Sequence, residues 1–485
     1  MVNLSKSKII THRQCSKRLW LQTYRKDLIP LIDAVTQARF DEGNRVGDIA
    51  RQIHHNGIFV DTLNQEDALF ITKDAIAKHQ AIFEAAFFEQ DVLIRADLLF
   101  PDKNGYRLVE VKSSTAVKDY HYEDATVQAW VIHQAGINLT QVALAHINNQ
   151  FVYQGDENYA GLLIEQDLTP NVHDRLDDVT NWVKAAKETL VLQQEPKIDP
   201  GQQCHAPFEC EFNDYCSPAD PNIEHPVHIL PNSKKLANKL IEEGYRDLRQ
   251  VPLGRLDNPK HIRMQEAIMR NGSILDPMAT KELNSLPYPR YYIDFETITF
   301  AVPIWKDTRP YMQIPFQWSC HIEKANGDIE HLEFLDISGS DPRHEFAKTL
   351  IQAISTDGPI IAYNAGFEKS RIHELANLYH DLAIKLNLMP DRFFDLLTLA
   401  RNYYYHPDMQ GSWSIKDVLP TIAPELNYGN LEVGDGNMAQ EAYREAISPS
   451  TTVERKEKLK DDMLKYCAQD TFAMVKIIQN WTNII

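Results

Sequence analysis

No apolar run in this 485-residue chain is long enough to span a membrane. The first twenty residues, MVNLSKSKIITHRQCSKRLW, lack the apolar core of a secretory signal, so a cytoplasmic location without membrane contact is expected. Cysteine is scarce, with six residues in the whole sequence, which excludes a disulfide framework as the source of stability. Internal repeats and low-complexity tracts are absent. A positive balance is missing as well: the net charge of −18 argues against a protein that coats polyanions. The cations that do occur are unevenly placed, because residues 1–26 hold seven Lys or Arg and no Asp or Glu. That patch reads either as a solvated helix end or as a nucleic-acid contact.

What is present describes a soluble globular chain, 43% hydrophobic and 24% charged, and long enough for two or three domains. Residues 1–225 alternate helical and strand patterns. DALFITKDAIAKHQAIFEAAFF predicts a helix, VLIRADLLF and YRLVEVKSS predict strands joined by the turn residues PDKNG, HYEDATVQAWVIHQAG predicts a helix, and QVALAHINNQFVY a further strand. Residues 226–285 are basic and helical, and are expected to form a connector, with a small helix-turn-helix-like contact as the alternative. Residues 286–485 return to α/β alternation. YYIDFETI, QWSCHIE, HLEFLD and PIIAYNA predict strands; HEFAKTLIQAIS, EKSRIHELANLYHDLAIKL, FFDLLTLARNYYY and DDMLKYCAQDTFAMVKIIQNW predict helices.

The strongest chemical signal is Asp294-x-Glu296 on an apolar strand. Residues i and i+2 of a strand face the same way, so the two carboxylates can grip one ion. Side by side they repel unless a cation neutralises them. Downstream, Glu368 follows Asn-Ala-Gly-Phe at a strand-to-helix junction, and Tyr466-x3-Asp470 shares one face of the last helix. Taken alone, Glu368 reads as a helix cap and Asp470 as a solvated residue. Together, the elements resemble the DEDD (DnaQ-like) exonuclease family in its tyrosine variant.

That resemblance implies a ribonuclease H-like fold whose carboxylates hold two divalent ions, Mg2+ or Mn2+, about 3.5–4 Å apart. By position, Asp294, Glu296 and Asp470 match the metal ligands, and Tyr466 matches the residue that orients or helps deprotonate the attacking water. Glu368 stands where the family has Asp. Asp395, in FDLLTLAR, reads as a structural N-cap, and Lys416 as a phosphate contact or a solvated side chain.

A second constellation lies upstream. Asp97 in RADLLF, Glu110-x-Lys112 on the next strand and Gln128 on the following helix resemble the PD-(D/E)xK nucleases, and more narrowly the RecB-type exonucleases. An ion-paired exposed strand is the plain alternative. The resemblance implies a restriction-endonuclease-like fold in which Asp97 and Glu110 bind metal, Lys112 stabilises developing charge and Gln128 meets substrate. The family's early-helix His is missing; Gly47 or Asp48 falls there.

One early cysteine, Cys15, and three late ones, Cys204, Cys210 and Cys216, are similar in order to the iron–sulfur branch of these nucleases. This implies a 4Fe–4S cluster joining the two ends of the domain, with a zinc site that includes His205 as the alternative. Cys320 and Cys467 read as core thiols.

The expectation is therefore an α/β chain of three parts: a restriction-endonuclease-like domain, a helical connector and a ribonuclease H-like domain. It would hydrolyse phosphodiester bonds of DNA, with RNA as the alternative substrate, acting from an end. Trp20 and Tyr24 are candidates for stacking on bases. The competing reading is a nucleic-acid-binding scaffold whose N-terminal site has decayed. Protein partners are not legible.

Overall fold

A computed structural model describes residues 3–218, 220–426 and 428–483. It is mixed α/β and divides into two compact units: Met1–Ala219 with Phe300–Tyr311, and Asp220–Thr299 with Met312–Ile485. Among the described residues, no helix is long and apolar enough to cross a membrane.

The first unit is built on one mixed sheet. Its strands are β1 (Leu4–Ser5), β2 (Ile58–Phe59), β3 (Ile82–Glu89), β4 (Val92–Asp102), β5 (Gly105–Lys112), β6 (Leu139–Ile147) and β7 (Leu163–Asp167). The order is β2-β3-β4-β5-β6-β7, with β1 paired to β4. Strands β3, β4 and β5 run antiparallel in turn, whereas β5 and β6 are parallel. Strict alternation in β4 explains its two faces: Val92, Ile94, Ala96 and Leu98 are buried, while Arg95 and Asp97 between them are not fully so. The helix Asp119–Gln134 packs Ala125, Val127, Trp130 and Val131 into the same core as Ile94, Leu99 and Leu108.

Two sequence expectations are corrected here. The helix expected over 67–88 ends at Ala77, and Ile82–Glu89 is strand β3. His79 adopts a positive φ of 51° at the break, and the apolar IFEAAFF gains more from pairing with β4 than from extending a helix. The strand expected over 141–153 stops at Ile147, where Asn148 turns the chain and its side chain accepts from the Gln150 amide at 3.1 Å.

The second unit contains β8 (Ile274–Leu275), β9 (Arg290–Ile298), β10 (Ile314–Glu323), β11 (Ile329–Leu335), β12 (Ile360–Ala362), β13 (Phe393–Asp395) and β14 (Tyr404–Tyr405). Five of these form a sheet in the order β11-β10-β9-β12-β13, antiparallel at β11-β10-β9 and parallel at β9-β12-β13. The strand β8 pairs with β14. Residues 226–285, expected as a connector, contain the helices Lys234–Glu242, Pro259–Arg270 and Pro277–Asn284 and cluster with this unit.

Phe393–Asp395, expected as helix, is a strand, because its aromatic residues pair in parallel with Ile360–Ala362. The helix begins only at Leu396, where the Asp395 side chain accepts from the amides of Leu397 and Thr398, the N-cap role expected of it. The expected 368–386 helix is two pieces, Gly366–Leu378 and Ala383–Leu386.

The faces of β9 decide the site. Tyr291, Ile293 and Phe295 enter a core with Trp318, Phe346 and Ile372. The alternate residues turn to the opposite face, which the long helix Val453–Thr482 covers. That helix is tied to β10 by Gln317 Nε2 donating to Met463 O at 2.9 Å and by a 2.8 Å hydroxyl contact between Ser319 and Thr471.

Candidate functional site

Strand alternation puts Asp294 and Glu296 on the helix-covered face of β9, and Asp470 descends onto them from the long helix. Their ligand atoms lie within 4.8 Å of one another, and this is the one group of metal-ligating type among the described residues. Glu296 and Asp470 are buried and Asp294 is half-buried. Tyr428 donates its hydroxyl to Asp470 Oδ1 at 2.5 Å. Cys467, expected as an ordinary core thiol, is buried, and its Sγ lies 3.6 Å from Asp294 Oδ2, so the thiol donates into the carboxylate group.

Burial, and then mutual repulsion, pushes these acids up. Asp294 is raised well above the usual carboxylate range by burial, then by Asp470, Glu296 and Glu368. Burial and Asp470 lift Glu296 to about 8, against the pull of Lys416. Burial lifts Asp470 to about 6, with the Tyr428 hydrogen bond opposing. Burial and the same carboxylates raise the Tyr466 phenol, so it stays protonated.

Glu368 is 3% exposed in the first turn of Gly366–Leu378, and its Oε2 has no hydrogen-bond partner. It lies outside the 4.8 Å group. Lys416 sits with Nζ 5.1 Å from the Tyr466 ring centroid and 5.4 Å from that of Tyr428, and donates to Gly434 O at 2.7 Å. Asp294 and Asp470 open into a cleft of about 910 Å3. A divalent ion fits the donor set: hard oxygen ligands, a surplus of negative charge and an orphaned carboxylate oxygen nearby.

In the first unit, Asp97, Glu110, Lys112 and Gln128 are brought together. Asp97 Oδ2 accepts from the Val111 amide at 2.7 Å, and burial with the Glu110 charge raises it to about 8. Glu110 is 1% exposed and takes Gln128 Nε2 on Oε2. Its Oε1 meets two ammonium groups at 2.7 Å each, Lys112 and Lys6. Burial alone would raise Glu110, but those two cations overcome it and hold the carboxyl below its ordinary range. Asp124 completes the cluster, 3.0 Å from Lys112 and 3.8 Å from Lys6.

Sequence reading missed Lys6 and Asp124. Asp124 had a signal, one helical turn before Gln128 on the same face; Lys6 was submerged in the basic N-terminus. Glu84 was also missed; it lies across from Asp97, between the pairs Phe83↔Leu98 and Ala85↔Ala96, with a φ of 58°. Asp48 pairs with Arg51 on the helix Ala34–Ile53, which also carries Gly47.

Cys15, Cys204, Cys210 and Cys216 line one small pocket, although they are separated by up to two hundred residues. No three of the sulfurs lie within 4.8 Å of one another. His205 is not among the pocket's residues; its Nδ1 pairs with Glu209 at 2.8 Å. Trp20 donates Nε1 to Leu192 O at 3.1 Å, and Tyr24 donates to Leu190 O, so both tips are engaged at the end of the helix Asp178–Leu190.

The second unit is thus a mixed α/β unit with an acidic, cleft-side metal-type centre. Residues 291–414 match a family described as a domain of unknown function, DUF2779. The match includes Asp294, Glu296, Glu368 and Asp395 and ends before Tyr466 and Asp470. The chain is similar to uncharacterized protein MG366 of Mycoplasma genitalium, at 29% identity over 215 residues, 40% of this chain and 32% of that protein. It is also similar to uncharacterized protein UU173 of Ureaplasma parvum, at 28% over 210 residues, 39% of this chain and 30% of that protein. A Mycoplasma pneumoniae homolog of MG366 aligns at 25% over 207 residues. The aligned stretch spans about a third of the length of these relatives. No solved structure matches.

Two outcomes are expected. The folded, metal-free centre favours protonated carboxyls, so its contribution to stability falls as pH rises from the ordinary Glu value of 4.5 toward the value of about 8 at Glu296. Thermal unfolding in EDTA should show that fall, and the increase in Tm given by Mn2+ should grow across the same window. A cation effect on Tm that is flat with pH would contradict this account.

Lys6 acts as a resident cation on Glu110. In an Asp294→Asn background, which disables the second centre, Lys6→Met should tighten Mn2+ binding at the first unit by about tenfold in calorimetric titration. Unchanged or weaker binding would refute the assignment.

Proposed function

We propose that the chain is a divalent-metal-dependent nuclease, with a ribonuclease H-like DEDD exonuclease centre in the second unit and a RecB-like, iron–sulfur PD-(D/E)xK unit in front of it. The observation that carries this reading is the convergence of Asp294, Glu296 and Asp470 to within 4.8 Å of one another beside an open cleft. When bound there, Mg2+ or Mn2+ would polarise the phosphoryl oxygen and stabilise the attacking and leaving oxygens.

The chain's own residues would do the rest. Asp294, Glu296 and Asp470 hold the ions. Tyr428 fixes the rotamer of Asp470 through its hydroxyl. Tyr466, kept as a phenol, donates a hydrogen bond and orients the attacking water. Lys416, held over the Tyr466 and Tyr428 rings, adds positive charge where the phosphoryl group would become more negative. The substrate is single-stranded or unwound DNA, with RNA as the alternative, cut from an end.

The four cysteines support a cluster rather than one zinc ion. Tetrahedral zinc with Zn–S of about 2.3 Å draws its sulfurs to about 3.8 Å from one another, closer than any three of these stand. A 4Fe–4S cluster anchors each thiolate on a separate iron and so spaces them more widely. Its role would be structural, clamping the segment after Gln14 to the segment 204–216.

A second reading of the first unit rests on Lys6. With Glu110 already satisfied by two ammonium groups, that unit would bind nucleic acid without cutting it.

End-labelled single-stranded DNA and RNA incubated with Mg2+ or Mn2+ test the main proposal. Asp294→Asn should reduce degradation at least about 100-fold, and Asp97→Asn should report the first unit's share. Degradation untouched by either substitution would remove both centres. Protein purified without oxygen should be brown and lose its colour in Cys210→Ser; colourless protein with stoichiometric zinc would remove the cluster.

A further inference from the structure

The cleft beside Asp294 and Asp470 has a wall that the triad does not supply. It is built by the start of the helix Pro259–Arg270, through Asn258, Lys260 and His261, and by Arg401 from the helix Leu396–Tyr403. We propose that this wall is a phosphate subsite, which takes a backbone phosphodiester of the substrate strand away from the bond being cut. The inference rests on the nuclease reading of the triad and assigns to residues 258–261, which read as a connector in sequence, a direct part in binding.

Three independent features point to an anionic ligand. The first is His261. It is 4% exposed, lines the cleft, and its Nδ1 has no hydrogen-bond partner. Its Nε2 lies 3.2 Å from the Pro231 carbonyl oxygen, which can only accept, so Nε2 carries the ring hydrogen. The orphan is therefore Nδ1, which becomes a donor once the ring is protonated against an anion.

The second feature is charge. Lys260 and Arg401 have no carboxylate partner among the described residues, in a chain whose net charge is −18. Unpaired cations on an acidic protein, beside a centre that would itself repel phosphate, supply the local attraction a polyanion needs. The third is the helix start. The twelve-residue helix presents its positive end to the cleft, and Asn258 caps it by accepting from the Lys260 amide at 2.9 Å.

The wall is also braced. Gly411, on the facing side, has a φ of 83°, and a Cβ there would stand 2.1 Å from the Ile229 carbonyl oxygen. Only glycine lets the 411–415 segment close onto the 229–232 segment in this way. Gln410 adds a 3.2 Å contact from its Nε2 to His225 Nδ1. The cleft is therefore a fixed groove with an acidic floor and a cationic side, the arrangement a nucleotide strand requires if its reacting phosphate meets metal and a neighbouring one meets cations.

The test uses the full chain and two substitutions outside the triad, Lys260→Ala with Arg401→Ala, alongside His261→Gln. Binding of fluorescein-labelled oligo(dT) and oligo(rU) is followed by anisotropy from low to moderate salt in an Asp294→Asn background, and cleavage is followed in the otherwise native chain. The double variant should weaken binding about tenfold and reduce the log–log salt slope by about 1.4, the value for two lost phosphate contacts on a single strand.

In cleavage, KM should rise about tenfold with kcat changed about twofold or less, and His261→Gln should raise KM in the same sense. The Mn2+-induced rise in Tm should persist in both variants, which shows that the triad is intact. If the native chain cleaves but KM and salt slope do not move in the variants, the subsite is wrong while the nuclease reading stands. If the native chain neither binds nor cleaves either oligonucleotide, both fall.

Discussion

Desolvated carboxylates crowded together are the constraint on which the second unit depends. Moving charge from water into a protein interior is costly, and placing like charges side by side adds to that cost. Here β9 presents Asp294 and Glu296 at i and i+2 while the long helix brings Asp470 down on them, so three acids share a space within 4.8 Å. Every neighbouring device lowers the cost without removing it. Tyr428 donates to Asp470, Cys467 donates to Asp294, and Lys416 draws down both Glu296 and Asp470. None of these is a full counter-charge within bonding distance. Natural cores do not gather acids in this way to gain stability, so the arrangement makes physical sense as a receptor for cations.

The first unit meets the same difficulty with a different solution. Glu110 is as deeply buried as any acid in the chain, yet it lies between Lys6 and Lys112, and its pKa is driven down rather than up. The negative charge is already balanced by the protein. Asp97, lacking a direct cation, keeps a raised pKa and is left as the group most ready to accept an added positive charge. The two clusters thus differ in what they ask of solution: the triad lacks a cation, and the first cluster would have to exchange one.

The contrast also explains what could be read from sequence. Asp294 and Glu296 were legible because strand periodicity puts i and i+2 on one face, and Tyr466 with Asp470 because i and i+4 share a helical face. Asp395 was legible as a cap from its place before a helical run. Lys6 was not, because its partner lies 104 residues away and nothing local marks one lysine among seven basic neighbours. Tyr428 and His261 escaped for the same reason: each is defined by a tertiary contact. The errors in secondary structure share a cause too. IFEAAFFE and FFD carry residues compatible with either state, and the sheet edge they join decided for strand. Equal spacing of Cys204, Cys210 and Cys216 likewise could not show that Cys15 would complete their pocket.

Glu368 is where sequence and geometry press hardest on one another. Read locally, an acid in the first turn of a helix is a cap. The structure instead buries it to 3% exposure with Oε2 unsatisfied, and its charge reaches Asp294 strongly enough to raise that acid. A cap would face solvent or the helix's own amides; a buried acceptor without a donor costs free energy and calls for a partner. Glu368 nevertheless stands outside the 4.8 Å group, so one ion held by Asp294, Glu296 and Asp470 would leave it unserved. The longer side chain, where the resembling family has Asp, can extend one methylene further than that residue could. A second cation, or a water bound to one, placed between Glu368 and Asp294 would satisfy the orphaned oxygen and relieve the repulsion at Asp294 together. On the proposed reading, two ions are therefore what the electrostatics of this unit require.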